Sequence, residues 1–360
     1  MRCWAEINIK NLYHNIDEIE KVAPKEKMIA VIKADAYGHG MLKICESLIQ
    51  KGIRHFAVAT AEEALKVKEF DNDVSVLILG PIEYEYMDKI SEKNIYFMVT
   101  DFEEIKYLEK SQIPTDVFLK VDTGMGRVGF QKYEIDELIE KLKNCKFVKP
   151  IGIFSHFSSS DTDAKYTEFQ ENNFEEISKK IISKIPSVKY KHLLNSFGSL
   201  KLKNDKYDFV RVGIIIYGGV TDEETKPYKF KPVMSLFAKI SYIKKLKEDS
   251  FISYGNTYLG KAGQTYATVS IGYADGVRRD LSNKGYIYYK RHRCEIVGRV
   301  CMDQLMVHIP AELADEVKKG DVVEFFGENI SVSEVANLCN TISYEILCGI
   351  SQRVPRIYVK

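Results

Sequence analysis

A single lysine, Lys33, ends a short apolar run, Met28-Ile29-Ala30-Val31-Ile32. A small, glycine-punctuated segment follows it, Ala34-Asp35-Ala36-Tyr37-Gly38-His39-Gly40. A run this short, β-branched and closed by a turn signal reads as a buried strand. A lysine at such an end sits half in apolar surroundings, where desolvation favours the neutral amine that a nucleophile or imine former needs. The same position also suits a lysine whose stem lies on apolar surface while its head reaches water. Other residues of chemical promise lie near the ends of later apolar runs. Lys120-Val121-Asp122-Thr123-Gly124-Met125-Gly126-Arg127 sets two cations around a carboxylate. His156 follows Phe154-Ser155, Asn195-Ser196 follows His192-Leu193-Leu194, and Arg211 precedes Val212-Gly213-Ile214. Ser196 offers a hydroxyl, and Gly213 and Ile214 offer backbone N–H groups at a predicted helix start, a donor set that suits phosphate. One at a time these residues are ordinary: a lone histidine is commonly structural, and Asp-Thr-Gly makes a turn.

The elements that must position them follow a rhythm. Apolar runs at residues 30–32, 55–59, 75–79, 95–99, 117–121, 151–155, 192–195 and 208–212 alternate with helix-like stretches. Those stretches, at 41–51, 61–70, 83–93, 101–110, 133–144 and 163–183, carry apolar residues at helical spacing with charges between. Alternation of strand and helix predicts βαβ units and a parallel sheet. Eight strands in roughly 230 residues match a (β/α)8 barrel, and an open doubly wound sheet fits the same alternation. In a barrel the chemistry gathers at the carboxyl ends of the strands, where Lys33, Arg127, His156, Ser196 and Arg211 all fall. After Pro232 the texture becomes β-rich, with runs at 234–243, 264–271, 286–289, 294–300, 305–309 and 321–326 and one helical stretch at 331–340. The expectation is therefore an α/β chain of two domains. Residues 1–230 form a TIM-type (β/α)8 barrel, and residues 231–360 a mainly β carboxyl-terminal domain. In the second, Ser253-Tyr254-Gly255, Ile271-Gly272-Tyr273-Ala274-Asp275-Gly276 and Val297-Gly298-Arg299-Val300-Cys301-Met302-Asp303 read as glycine-rich turns between strands.

Composition narrows the class. The chain has 360 residues, 45% hydrophobic and 29% charged, with net charge +1. Nothing in that balance asks for nucleic acid or an anionic membrane. The 7 cysteines are scattered, with no Cys-x-x-Cys pair, so neither a zinc site nor a disulfide framework is expected, and a reducing, cytoplasmic setting fits. No signal-peptide pattern opens the sequence, and no apolar run is long enough to span a bilayer.

The motifs taken together resemble the alanine racemase family, enzymes of fold-type III that depend on pyridoxal phosphate. The resemblance covers essentially the whole chain. It rests on AVIKADAYGHG, KVDTGMGRVGF, SHFSSSD, NSFGSL, VRVGIIIYG, SYGNTY, IGYADGVRR, GRVCMDQ and RVPRIY, in that order. It implies an amino-terminal (β/α)8 barrel, a carboxyl-terminal β domain and a head-to-tail homodimer with shared active sites. The implied activity is interconversion of L- and D-alanine for peptidoglycan. By the same resemblance Lys33 holds pyridoxal phosphate and is one base, and Tyr254 from the partner subunit is the second. Arg211 faces the pyridine nitrogen, while Tyr37, Ser196, Gly213 and Ile214 hold the phosphate. Arg127 and the backbone of Met302 meet the substrate carboxylate. His156 sits by the ring near Tyr254, and Tyr273 lines the substrate passage. Lys120 stands at a position often carbamylated in the family. A metal is not implied.

One position departs from the pattern. Before Arg353-Val354-Pro355-Arg356 the family usually carries a tyrosine at the cofactor phosphate, and here the residue is Gln352. Loss of the ring opens room and adds a polar partner near the substrate β-carbon. Serine-racemising relatives also lack that tyrosine, so serine is expected as a second substrate. A decarboxylase of the same fold type would carry a carboxylate opposite the pyridine nitrogen, against Arg211.

Overall fold

The computed structural model describes residues 1–81, 83–90 and 94–360. The chain divides into two compact units, one of residues 16–36 and 41–213, the other of residues 1–15, 37–40 and 214–360.

The first unit carries eight parallel strands: β2 (Met28–Val31), β3 (His55–Val58), β4 (Ser75–Ile78), β5 (Ile95–Val99), β6 (Thr115–Lys120), β7 (Val148–Phe154), β8 (Tyr190–His192) and β9 (Val210–Val212). They pair in chain order from β8 back to β2, and β2 pairs in turn with β9. The ends meet as well: Asp208 N donates to Lys191 O at 3.0 Å and Arg211 N to Leu194 O at 2.9 Å. The sheet is thus closed, which decides for the barrel over the open sheet. Helices cover its outside, so strands such as β2 are buried on both faces and read as unbroken apolar runs. The predicted helix starts carry real caps. Thr60 accepts from Glu63 N at 3.2 Å, Asp101 from Glu104 N at 2.9 Å and Asp163 from Tyr166 N at 3.0 Å. Of the helix expected over 83–93, Tyr84–Tyr86 forms a 3₁₀ turn running into a short helix at Met87–Ile90. Residues 91–93 lie outside the described residues.

The second unit is an antiparallel sheet built from β10 (Met234–Lys245), β13 (Thr265–Val269), β14 (Tyr286–Tyr289), β15 (His292–Val297), β16 (Leu305–Ile309) and β17 (Val322–Phe326). A small hairpin of β11 (Ser250–Phe251) and β12 (Leu259–Gly260) stands beside it. The six strands follow the order β13-β16-β15-β14-β17-β10, and β10 pairs again with β13, so this sheet also closes and leaves no edge among them. Two strands the sequence reading passes over extend it, β1 (Cys3–Asn8) and β18 (Arg356–Val359). β1 pairs antiparallel with β10 and parallel with β18, burying Cys3, Ala5 and Ile7. For that reason residues 1–15 pack with the β unit, although the expected division at residue 230 places them with the barrel. Residues 214–230 likewise pack with the β unit.

Candidate active site

The strand that leads to Lys33 stops at Val31, one residue before the apolar run ends. Ala34, Asp35, Ala36 and Tyr37 then take φ of 51°, 54°, 54° and 54°, a left-handed helical turn. Such a conformation costs L residues roughly 1–2 kcal/mol each, so this turn stores on the order of 4–8 kcal/mol that its surroundings must offset. On the barrel side Glu63 accepts from Ala34 N at 2.8 Å and Asp35 Oδ1 from Met41 N at 2.7 Å. Ile32 O accepts from Ala36 N at 2.9 Å. Within the β unit Arg356 Nε donates to Gly38 O at 2.9 Å and Tyr358 OH to His39 O at 3.1 Å. A Cβ on Gly38, at φ 80°, would lie 2.5 Å from Leu347 O, so only glycine fits. Lys33 opens this pinned turn and is half-buried.

Around the carboxyl ends of β6, β7 and β9 stands a group of cations. The Arg211 side chain is buried and its hydrogens go to neutral acceptors: Ser155 O at 2.6 Å, Leu193 O at 3.1 Å, His192 O at 3.3 Å and His192 Nδ1. His156 Nδ1 lies 3.3 Å from Nη2. Burial, and Arg127 nearby, hold this guanidinium down at about 9, still charged near neutrality. Lys120 is 3% exposed. Its Nζ donates to Val121 O at 2.9 Å and Val128 O at 3.2 Å. Burial first, then Arg211 and Arg127, bring its amine down to about 7 against the opposing pull of Asp122. His156 is held well below its usual range by burial and by Arg211, Arg127, Lys120 and Lys33, so it is neutral. Among the described residues Lys120, Arg127 and Arg211 form no ion pair. The one carboxylate close by, Asp122, is already committed. Burial would raise it, but its Oδ1 takes the N–H groups of Gly124, Met125 and Gly126 at 2.9, 2.9 and 3.1 Å, and it stays below its usual range. Of the three cations Lys120 and Arg211 are buried and Arg127 is exposed. Two buried cations without an ion pair are costly, so this arrangement suits a ligand that brings negative charge.

At the neighbouring strand ends Ser196 Oγ accepts from Gly213 N at 2.9 Å. The hydroxyl hydrogen of Ser196 is therefore the donor left for a ligand. The predicted helix start after Gly213 is absent: residues 214–218 form successive turns, with Tyr217 N on Ile214 O at 3.1 Å. Tyr37 is buried, its ring 4.9 Å from Tyr217 and 5.8 Å from Tyr344. Burial pushes its phenol far up, which keeps the hydroxyl a donor.

In the β unit Tyr254 is 70% exposed on a short 3₁₀ turn. Ser253 before it, at φ 69°, donates its hydroxyl to Arg299 O at 2.6 Å. Gly272 permits the next contact, since a Cβ there would come within 2.4 Å of both Cys301 O and Met302 O. Tyr273 N and Ala274 N instead donate to those two carbonyls at 3.0 Å each, which brings Tyr273 and Met302 together with both side chains exposed. Asp275, wholly buried, ties the same loops: it meets Arg2 at 2.6 Å, Arg353 at 3.2 Å and Gly272 N at 2.9 Å. Gln352 is exposed on the turn just before Arg353.

Asp122, read from the sequence as part of a turn, does form one, with its carboxylate on the N–H groups of Gly124, Met125 and Gly126. His192 was not singled out from the sequence and had no signal there. It is buried, stacks on Phe154 at 4.8 Å, and its Nδ1 must accept because a guanidinium has only hydrogens to give. Among the described residues no cluster of metal-ligating side chains occurs.

Comparison with known proteins bears on all of this. Residues 7–221 match the family model "Alanine racemase, N-terminal domain" and residues 233–358 "Alanine racemase, C-terminal domain". The chain is 38% identical over 367 residues to an alanine racemase of Carboxydothermus hydrogenoformans, covering 99% of each. It superposes on an alanine racemase of Clostridium difficile 630 with TM-score 0.91 at 33% identity, covering 100% of this chain and 96% of that one. With a Bartonella henselae alanine racemase bearing covalently bound pyridoxal phosphate the TM-score is 0.89 at 29% identity, with 100% of both chains covered.

Proposed function

The chain belongs to the alanine racemase family, a family of isomerases, and on that footing we propose that it interconverts L- and D-alanine by moving the Cα proton between two bases, Lys33 and Tyr254. The observation that carries this reading lies in the unit that bears Lys33: buried Lys120 and Arg211 and exposed Arg127 form no ion pair among the described residues, and the nearby Asp122 is held by three backbone N–H groups. Pyridoxal phosphate and an amino-acid carboxylate would supply the missing charge, so the residues present fit both. When bound, pyridoxal phosphate delocalises the electron pair left at Cα. Lys33 would hold the cofactor and move the proton on one face, and Tyr254 on the other, since inversion needs both faces served. Arg211 has only hydrogens to offer a pyridine nitrogen, so it would leave that nitrogen unprotonated and restrain side reactions. The Tyr37 and Ser196 hydroxyls, with the backbone of Gly213 and Ile214, would hold the phosphate. Neutral His156 takes a hydrogen bond from Arg211 at Nδ1, which leaves its Nε2–H to meet Tyr254. Arg127 and the Met302 backbone would receive the substrate carboxylate, with Tyr273 lining the way in.

The exposure of Tyr254, Tyr273 and Met302 on a single chain supports a homodimer in which these residues complete the partner's site. A neutral Lys120 amine is the form that reacts with CO₂, which supports carbamylation there. Supply of D-alanine to peptidoglycan in the cytoplasm is the proposed role. All seven cysteines are free, and among the described residues no helix is long and apolar enough to cross a membrane. Gln352 favours a second reading, in which serine is racemised as well.

Chiral analysis of products from L-alanine and L-serine, with pyridoxal phosphate present, tests the proposal. D-alanine should form, and should be lost in Lys33→Ala and strongly reduced in Tyr254→Phe. No D-alanine from the wild-type protein refutes the activity, and full activity of Tyr254→Phe refutes the second base.

A further inference from the structure

The amino end of the barrel, opposite the strand ends that bear Lys120 and Arg211, holds a cavity of about 190 Å³. His55 and Ser75 open β3 and β4, Tyr190 opens β8, Tyr96 is second in β5, and Phe209 directly precedes β9. These side chains and Phe118 of β6 line it, with Phe56 and aliphatic residues completing the wall. Barrel interiors are normally filled by layers of side chains. Gly152 of β7, where a Cβ would sit 2.3 Å from the Phe118 ring, lets that ring lie against the strand. Rings make up most of the wall. Phe209 meets His55 at 5.0 Å and Tyr190 at 5.5 Å, and Tyr96 meets Phe118 at 5.9 Å. Ser75, Tyr96 and Tyr190 add hydroxyls, and Tyr190, 40% exposed, reaches solvent.

We propose that this chamber binds one uncharged, single-ring aromatic molecule bearing a hydrogen-bonding group, a phenol in its simplest form. A cavity of about 150 Å³ accommodates a benzene ring, so this one holds a ring with space for a substituent. Aromatic walls pack well against such a ring edge to face, and the hydroxyls and imidazole give its polar group partners. No charged side chain lines the chamber. Burial lowers His55, so the chamber disfavours even its own cation, and it offers a charged ligand no counter-ion. The wall also reaches the other end of the barrel. Phe118 and Phe209 pack nearly perpendicular to His192, at 5.2 and 6.2 Å, and His192 accepts from Arg211. Occupancy at one mouth is thus one ring away from the support of Arg211 at the other.

The test is titration of the pyridoxal phosphate-loaded protein with phenol by calorimetry, together with crystals soaked in 4-bromophenol and read by bromine anomalous scattering. Saturable binding of one phenol per chain is expected, with bromine in the chamber and no binding of benzoate or tetramethylammonium. Ser75→Leu, which fills the chamber, should abolish binding. The bromine position in wild-type crystals decides the same point without a variant. Absence of saturable binding, bromine elsewhere, retained binding in a folded Ser75→Leu, or equal binding of the charged probes would overturn the proposal.

Discussion

Lys120 gives the sharpest quantitative expectation. An unperturbed lysine sits at 10.5, and burial beside Arg211 and Arg127 brings this one to about 7. Each unit is a factor of ten in protonation. At pH 7 the neutral fraction is then about one half, against about one part in 3,000 for an ordinary lysine. Only the neutral amine attacks CO₂, forming a C–N bond and releasing a proton, so the driving concentration rises by about three orders of magnitude. The product is an anion next to Arg127 and Arg211, the charge this cluster lacks. The sign in pH is definite. The folded-state value is lowered, so the amine is protonated below about 7 and neutral above it, and carbamate should increase as pH rises through 7. The same shift makes folding stability rise with pH between about 7 and 10.5, where the unfolded chain binds the proton and the folded chain does not. Protein equilibrated with ¹³C-bicarbonate at pH 6, 7 and 8 should show a carbamate carbon resonance that grows with pH and vanishes in Lys120→Ala. Depletion of CO₂ should raise the KM for alanine. A resonance that persists in Lys120→Ala, falls as pH rises, or never forms would refute the reasoning.

The left-handed turn after Lys33 predicts an inverted substitution effect. Ala34→Gly, at an exposed position with φ 51°, should stabilise the protein by about 1 kcal/mol, because relief of roughly 1–2 kcal/mol exceeds the usual glycine penalty of about 0.5–1. Urea denaturation checks it, and destabilisation would show that the turn is not strained at that residue. Gln352→Tyr should lower kcat/KM for serine relative to alanine roughly tenfold, since a hydroxyl then loses its polar neighbour. An unchanged ratio from chiral product assays would remove Gln352 from specificity.

Much of the architecture was legible because local chemistry specified it. Short apolar runs alternating with stretches of helical spacing marked the barrel elements, and the helices expected over 61–70, 101–110 and 163–183 are capped in the structure by Thr60, Asp101 and Asp163. β1 and β18 were not legible, since isolated stretches of six and four residues carry too little pattern to be told from a loop. Pairing of β1 with β10 and with β18 is a non-local event, and it draws residues 1–15 into the β unit. The segment after Lys33 shows the same limit. Its sequence, Ala-Asp-Ala-Tyr, has only Asp35 with some tolerance of positive φ, so the geometry depends on contacts such as Glu63 on Ala34 N and Asp35 on Met41 N, with Arg356 and Tyr358 holding the carbonyls of Gly38 and His39 that follow.

The sequence alone determined which chemical groups the protein owns: the lysine after a buried run, arginines and a histidine near strand ends, and tyrosines in glycine turns. What only the tertiary structure decided is their state. Lys120 is brought down to about 7 by burial and by Arg211 and Arg127, His156 is held neutral by burial and the same neighbours, and Asp122 is spent on three backbone amides. Protonation follows from desolvation and from charges many residues away in the chain. Those distances exist only once the barrel has closed.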